Sequence, residues 1–61
     1  MNLLIVNDET ITLRGLSQKV EWKQYGISSV FTALSAKEAM LMMEQEEIDI
    51  VLCDIEMPNQ N

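Results

Sequence analysis

The sequence contains no histidine and a single cysteine, Cys53. An internal disulfide is thereby excluded, and so is a zinc-type cluster of soft ligands, so any metal held here is bound through oxygen. Basic residues are scarce as well: four Lys and Arg stand against ten Asp and Glu, for a net charge of −6. No Lys or Arg follows Lys37, while six acids lie from Glu44 onward. That balance opposes direct contact with nucleic-acid phosphates, which requires basic clusters. A solvated acidic surface is the plain alternative for such a run. Also missing is an apolar stretch of about 20 residues such as a membrane helix needs. Residues 1–8 have neither the basic start nor the apolar length of a signal peptide. The expectation is a soluble chain with a cytoplasmic address and no membrane contact.

What is present is a globular composition, 48% apolar and 23% charged, in a chain of 61 residues. A chain this small buries only about 60% of the surface that its unfolded form exposes, so its stability margin is narrow. Leu3-Leu4-Ile5-Val6 is a continuous apolar run ending in Asn7-Asp8-Glu9, which suits a first strand covered on both faces. From Thr10 to about Val20, Leu13, Leu16 and Val20 recur at helical spacing, with Ile11 expected near the same face and Thr10 as N-cap. Gly15 inside this helix marks either close packing or a tolerated cost of about 1 kcal/mol relative to Ala. Glu21 to Gly26 loses the periodicity and is expected to be a helix exit and connecting loop.

A second strand is expected over Ser29–Ala33, where Val30-Phe31-Thr32 supplies β-branched and aromatic residues. Ser35-Ala36-Lys37-Glu38 has the capping-box pattern that opens a second helix. Ala36, Ala39, Met40 and Met43 form its expected apolar stripe, with the helix reaching as far as Glu47. Methionines at this spacing read as packing residues. Ile48 to Cys53 is a third, nearly continuous apolar strand ending at Asp54, and Pro58 stops any regular continuation. Strands alternating with helices of about a dozen residues make an α/β protein with a parallel sheet and right-handed crossovers.

Ligands of such sheets bind at the carboxyl ends of the strands. Two strands here end in acids, Asp8 with Glu9 beside it, and Asp54. If those strands are neighbours, the carboxylates converge and repel, and a hard cation relieves the repulsion. Magnesium suits the donor set, because it takes one or two carboxylates and keeps waters that phosphate oxygens can replace. Each residue also has a structural explanation: Asp8 as a cap or turn residue, Glu9 as a favourable charge at a helix N-terminus, Asp54 as a turn former. Spacing alone leaves both readings open.

The run Leu4-Ile5-Val6-Asn7-Asp8-Glu9, followed two crossovers later by Ile50-Val51-Leu52-Cys53-Asp54-Ile55-Glu56-Met57-Pro58, resembles the response-regulator receiver domain. In that family a first strand ends in an acidic pair and a third in Asp-x-x-Met-Pro, and the match spans the whole chain. The resemblance implies a truncated flavodoxin-like doubly wound sheet, β-α-β-α-β with strand order 2-1-3. One partial receiver domain would occupy residues 1–61, with the family's fourth and fifth strands absent. It further implies that Asp54 accepts a phosphoryl group from a histidine kinase, that Mg2+ is the cofactor, and that Asp8 and Asp54 ligate it. The backbone carbonyl of Glu56 would supply another ligand, and Asn7 would reach the metal through a water. Met57 and Pro58 would shape the turn after the acceptor.

The segment Val20-Glu21-Trp22-Lys23-Gln24-Tyr25-Gly26 is also similar to receivers joined to AraC-type helix-turn-helix output domains. Two departures from the family pattern stand out. Asn7 replaces a usual second acid, which lowers the charge available to the metal. The hydroxyl residue and lysine carried by the later strands have no counterpart before Asn61, so phosphotransfer is expected to be slow and the module not an enzyme. A hydrophobic third strand left as an edge is expected to drive self-association, giving a homo-oligomer. The competing reading is therefore a non-catalytic fragment of the receiver fold that binds itself or a partner.

Overall fold

The computed structural model of the chain describes residues 1–54, Asp54 by its backbone. In order it contains β1 (Asn2–Asn7), α1 (Thr10–Lys19), a 3-10 helix (Trp22–Tyr25), β2 (Ser29–Ala33), α2 (Ala36–Gln45) and β3 (Ile50–Asp54). The strands form one sheet in the order β2-β1-β3. Both pairings are parallel: Leu4 lies opposite Phe31 on one side and Val51 on the other. This is the doubly wound α/β arrangement expected from the alternation of elements. Among the described residues no helix is long and apolar enough to cross a membrane.

Because β1 is central, its side chains alternate between two cores. Leu3 and Ile5 pack with Leu13 and Ile27, flanked by Leu16, Trp22 and Val30. Leu4 and Val6 pack with Ala33 and Ala39, flanked by Phe31, Met42 and Ile48. The two helices thus cover opposite faces, as right-handed crossovers moving in opposite directions from β1 and β2 require. The start of β1 is fastened to the approach to β3. The Asn2 backbone amide donates to Asp49 Oδ2 at 2.7 Å, the Asn2 side-chain amide donates to the Glu47 carbonyl at 2.7 Å, and the Asp49 amide donates to the Asn2 carbonyl at 2.9 Å.

Several local expectations are corrected. The N-cap of α1 is Glu9, and Thr10 is already helical. Ile11 is 87% exposed; two residues before Leu13, it stands about 200° away around the helix, on the opposite face. Gly15 meets no neighbour within 4 Å of a built Cβ, so it is tolerated and not a close-packing site. The expected loop after α1 contains the 3-10 helix, closed by Gly26 at φ 82°, a left-handed conformation that glycine adopts without steric cost.

The second helix ends at Gln45, short of Glu47, and its inward face is Ala39 and Met42. Met40 and Met43 are exposed, as is Ala36. The helix leans its smallest buried side chain, Ala39, onto the sheet, and this rotates the expected stripe outward. The capping box does form: Ser35 Oγ accepts from the Glu38 amide at 3.1 Å, and Glu38 Oε1 accepts from the Leu34 amide at 3.0 Å, one residue further back than the standard box.

Candidate functional site

The carboxyl ends of β1 and β3 lie side by side. The register pairs Val6 with Cys53 and Asn7 with Asp54, so the two backbones are about 4.8 Å apart at that edge. Asp8 follows directly from Asn7. The residues singled out at the two strand ends therefore share one edge of the sheet, because parallel pairing points both carboxyl ends the same way.

Around Asp8 the loop is held by its neighbours. Asn7 is only 4% exposed, the one polar residue buried among those described. Its Oδ1 accepts a hydrogen bond from the Glu9 amide at 2.8 Å. Glu9 Oε1 accepts from the Thr12 hydroxyl at 3.2 Å, and the Glu9 carbonyl accepts from the Leu13 amide at 2.9 Å as α1 begins. Asp8 is exposed, and its carboxylate has no hydrogen-bond partner among the described residues. Reading the residues in isolation missed the turn made by Asn7 and the contact from Thr12. The first had a usable signal, since Asn readily bonds a backbone amide two residues on; the second had none.

The oxygen donors at the strand ends suit a hard cation. The strand-end residues offer oxygen, and Cys53, though exposed, is a lone thiol. Among the described residues no three His, Cys, Asp or Glu form a metal-holding group. Magnesium needs only one or two protein carboxylates, so this sparse set fits it. Glu56, Met57 and Pro58, the expected source of a ligand carbonyl and of the turn after Asp54, lie outside the described residues, and the Asp54 side chain with them.

A parallel 2-1-3 sheet wound on both faces, with acids at the carboxyl ends of its first and third strands, defines a class of α/β proteins that bind at that edge. The chain belongs to the response regulator receiver domain family, which it matches over residues 3–61. It is 36% identical over 59 residues to an uncharacterized response regulatory protein of Staphylococcus epidermidis, and 34% identical over 59 residues to the transcriptional regulatory protein HptR of Staphylococcus aureus. Each alignment covers 97% of this chain, and 24% and 23% of the respective relative. The chain thus spans about a quarter of the length of these curated relatives. No solved structure matches it. Receiver domains are signalling modules of two-component phosphorelays.

Proposed function

We propose that this chain is the receiver module of a phosphorelay and accepts a phosphoryl group from a histidine kinase on the Asp54 carboxylate. The observation that carries this reading is the Asn7–Asp54 register, which brings Asp8 and Asp54 to one strand edge. In the transfer, an Asp54 carboxylate oxygen forms a new bond to phosphorus as the phosphorus–nitrogen bond of the phosphohistidine donor breaks. The electron pair of that bond leaves with the imidazole nitrogen. Asp8 and Asp54 would hold Mg2+ through carboxylate oxygens, with the Glu56 backbone carbonyl as a further ligand and Asn7 reaching it through a water. Mg2+, when bound, offsets the repulsion of the carboxylates and the charge of the phosphoryl oxygens.

The module is a phosphoacceptor and not an enzyme. Self-phosphorylation from small donors is weak, because an amide at position 7 supplies no charge to attract the metal. Residues 3–61 serve as receiver sequence, working in the cytoplasm. Output to transcription is supported by the name of the Staphylococcus aureus relative, a transcriptional regulatory protein, and the Val20–Gly26 segment favours an AraC-type helix-turn-helix domain as its carrier. DNA contact would fall to that output domain, since a net charge of −6 opposes it here.

Incubation of the chain with acetyl phosphate and Mg2+, followed by intact mass measurement, is expected to show a single phosphoryl adduct that Asp54→Ala abolishes. A folded sample without adduct would remove the reading.

A second reading is favoured by β3. Ile50, Val51 and Leu52 are 38%, 45% and 41% exposed, and the helices pack on β1 and β2. Among the described residues β3 pairs with β1 alone, and an apolar strand with an unpaired edge templates association, most simply as a two-fold dimer. Sedimentation of the chain at micromolar concentration is expected to show more than monomer. A well-folded monomer would count against this surface.

A further inference from the structure

We propose that Asn7 is a positioning residue: its side-chain amide holds the loop from β1 to α1 in its binding geometry without a cation and leaves Asp8 as that loop's sole metal-facing acid. The inference rests on the reading of the strand edge as a magnesium-assisted phosphoacceptor site. It is independent of any contact between Asn7 and a metal-bound water.

Three consecutive polar residues leave β1, and two of them are committed to local bonds. Asn7 Oδ1 takes the Glu9 amide, which is the backbone donor at the N-cap of α1. Glu9 Oε1 takes the Thr12 hydroxyl one turn into the helix. These two bonds bracket Asp8 and fix the direction in which the chain passes from strand to helix. Of these three residues, only Asp8 accepts no hydrogen bond through its side chain from another described residue.

The choice of an amide at position 7 has an electrostatic consequence. The position is almost fully buried, adjacent to Asp8 in sequence and to Asp54 in the sheet register. A carboxylate there could accept the same Glu9 bond, but it would be a buried charge placed next to Asp8 in sequence and to Asp54 in register. Its loop would be relaxed only with a cation in place. The neutral amide makes the same bond with no charge to neutralise, so the geometry persists when the metal leaves. The corresponding cost is weaker attraction for the metal, because ligand charge sets affinity at such sites.

Amide hydrogen exchange on the 15N-labelled chain, first in magnesium-free buffer with chelator and then with added Mg2+, tests this directly. In the parent, the Glu9 amide is expected to be protected about tenfold by its bond to Asn7, to the same extent with and without Mg2+. Asn7→Ala is expected to lose that protection. Asn7→Asp keeps the acceptor and is expected to be protected chiefly when Mg2+ is present, while binding Mg2+ about tenfold more tightly than the parent.

Glu9 exchanging at its intrinsic rate in the magnesium-free parent, with protection appearing only on adding Mg2+, overturns the proposal. So does an Asn7→Asp chain whose loop is as well protected without metal as the parent's. Should Asn7→Ala fail to fold, the parent and Asn7→Asp still decide. A protected Glu9 in a parent whose Asp8 resonances ignore Mg2+ supports the positioning role of Asn7 and refutes the magnesium site, which separates the two readings.

Discussion

Leu4→Ala is expected to cost about 3 to 4 kcal/mol and to leave most of the chain unfolded at room temperature. Leu4 is fully buried. It sits mid-way along the central strand, between Phe31 and Val51 in register, and packs with Val6, Ala33 and Ala39. Truncating it opens a cavity that the structure cannot close, because β1 is held on both edges by ladder hydrogen bonds. For a domain of this size the whole stability is roughly 3 to 9 kcal/mol, so one such loss rivals the total. The site would go with it, since β1 carries Asn7 and Asp8. Urea melts followed by far-UV circular dichroism measure the effect. Val51→Ala, on the exposed third strand, serves as the control and is expected to cost less than about 1 kcal/mol. Equal small shifts for the two variants would show that β1 is not the centre of the core.

Trp22→Ala should be nearly as damaging, at about 3 kcal/mol. Its ring packs against the cluster of Leu3, Ile5, Leu13 and Ile27 and meets Tyr25 edge-on, with centroids 6.4 Å apart. Its indole Nε1 donates to the Leu16 carbonyl at 2.9 Å. That carbonyl is among the last four of α1, which have no guaranteed partner within the helix. One side chain thus closes the core beneath α1 and caps the end of the same helix. Trp22→Phe keeps most of the packing and deletes the donor, and should cost about 1 kcal/mol. Denaturation midpoints for the two variants separate the contributions; a Phe variant as unstable as the Ala variant would mean that the hydrogen bond, and not packing, dominates.

The site was legible to different depths. The acids at the ends of the first and third strands announced themselves, because polar residues terminating apolar runs are visible without any fold. Their meeting at one edge depended on strand order, which a single sequence does not encode locally. The burial of Asn7 was hidden for the same reason, whereas its bond to the Glu9 amide is local and has a signal in the asparagine itself. Whether a strand-end amide faces water or the protein depends on how closely α1 and β3 approach.

By itself the sequence determined the β-α-β-α-β order, the second strand at Ser29–Ala33 and the serine cap of α2. These follow from contacts within a few residues, which local composition records. Tertiary structure alone decided that Ala39 and Met42 face the sheet while Met40 and Met43 face outward. It also sent Ile11 to solvent and turned the segment around Trp22 into part of the core. Apolar residues occupy more of each helix than the sheet can cover, so periodicity offers several faces. Only the fit of side-chain volumes against β1 and its neighbours selects one.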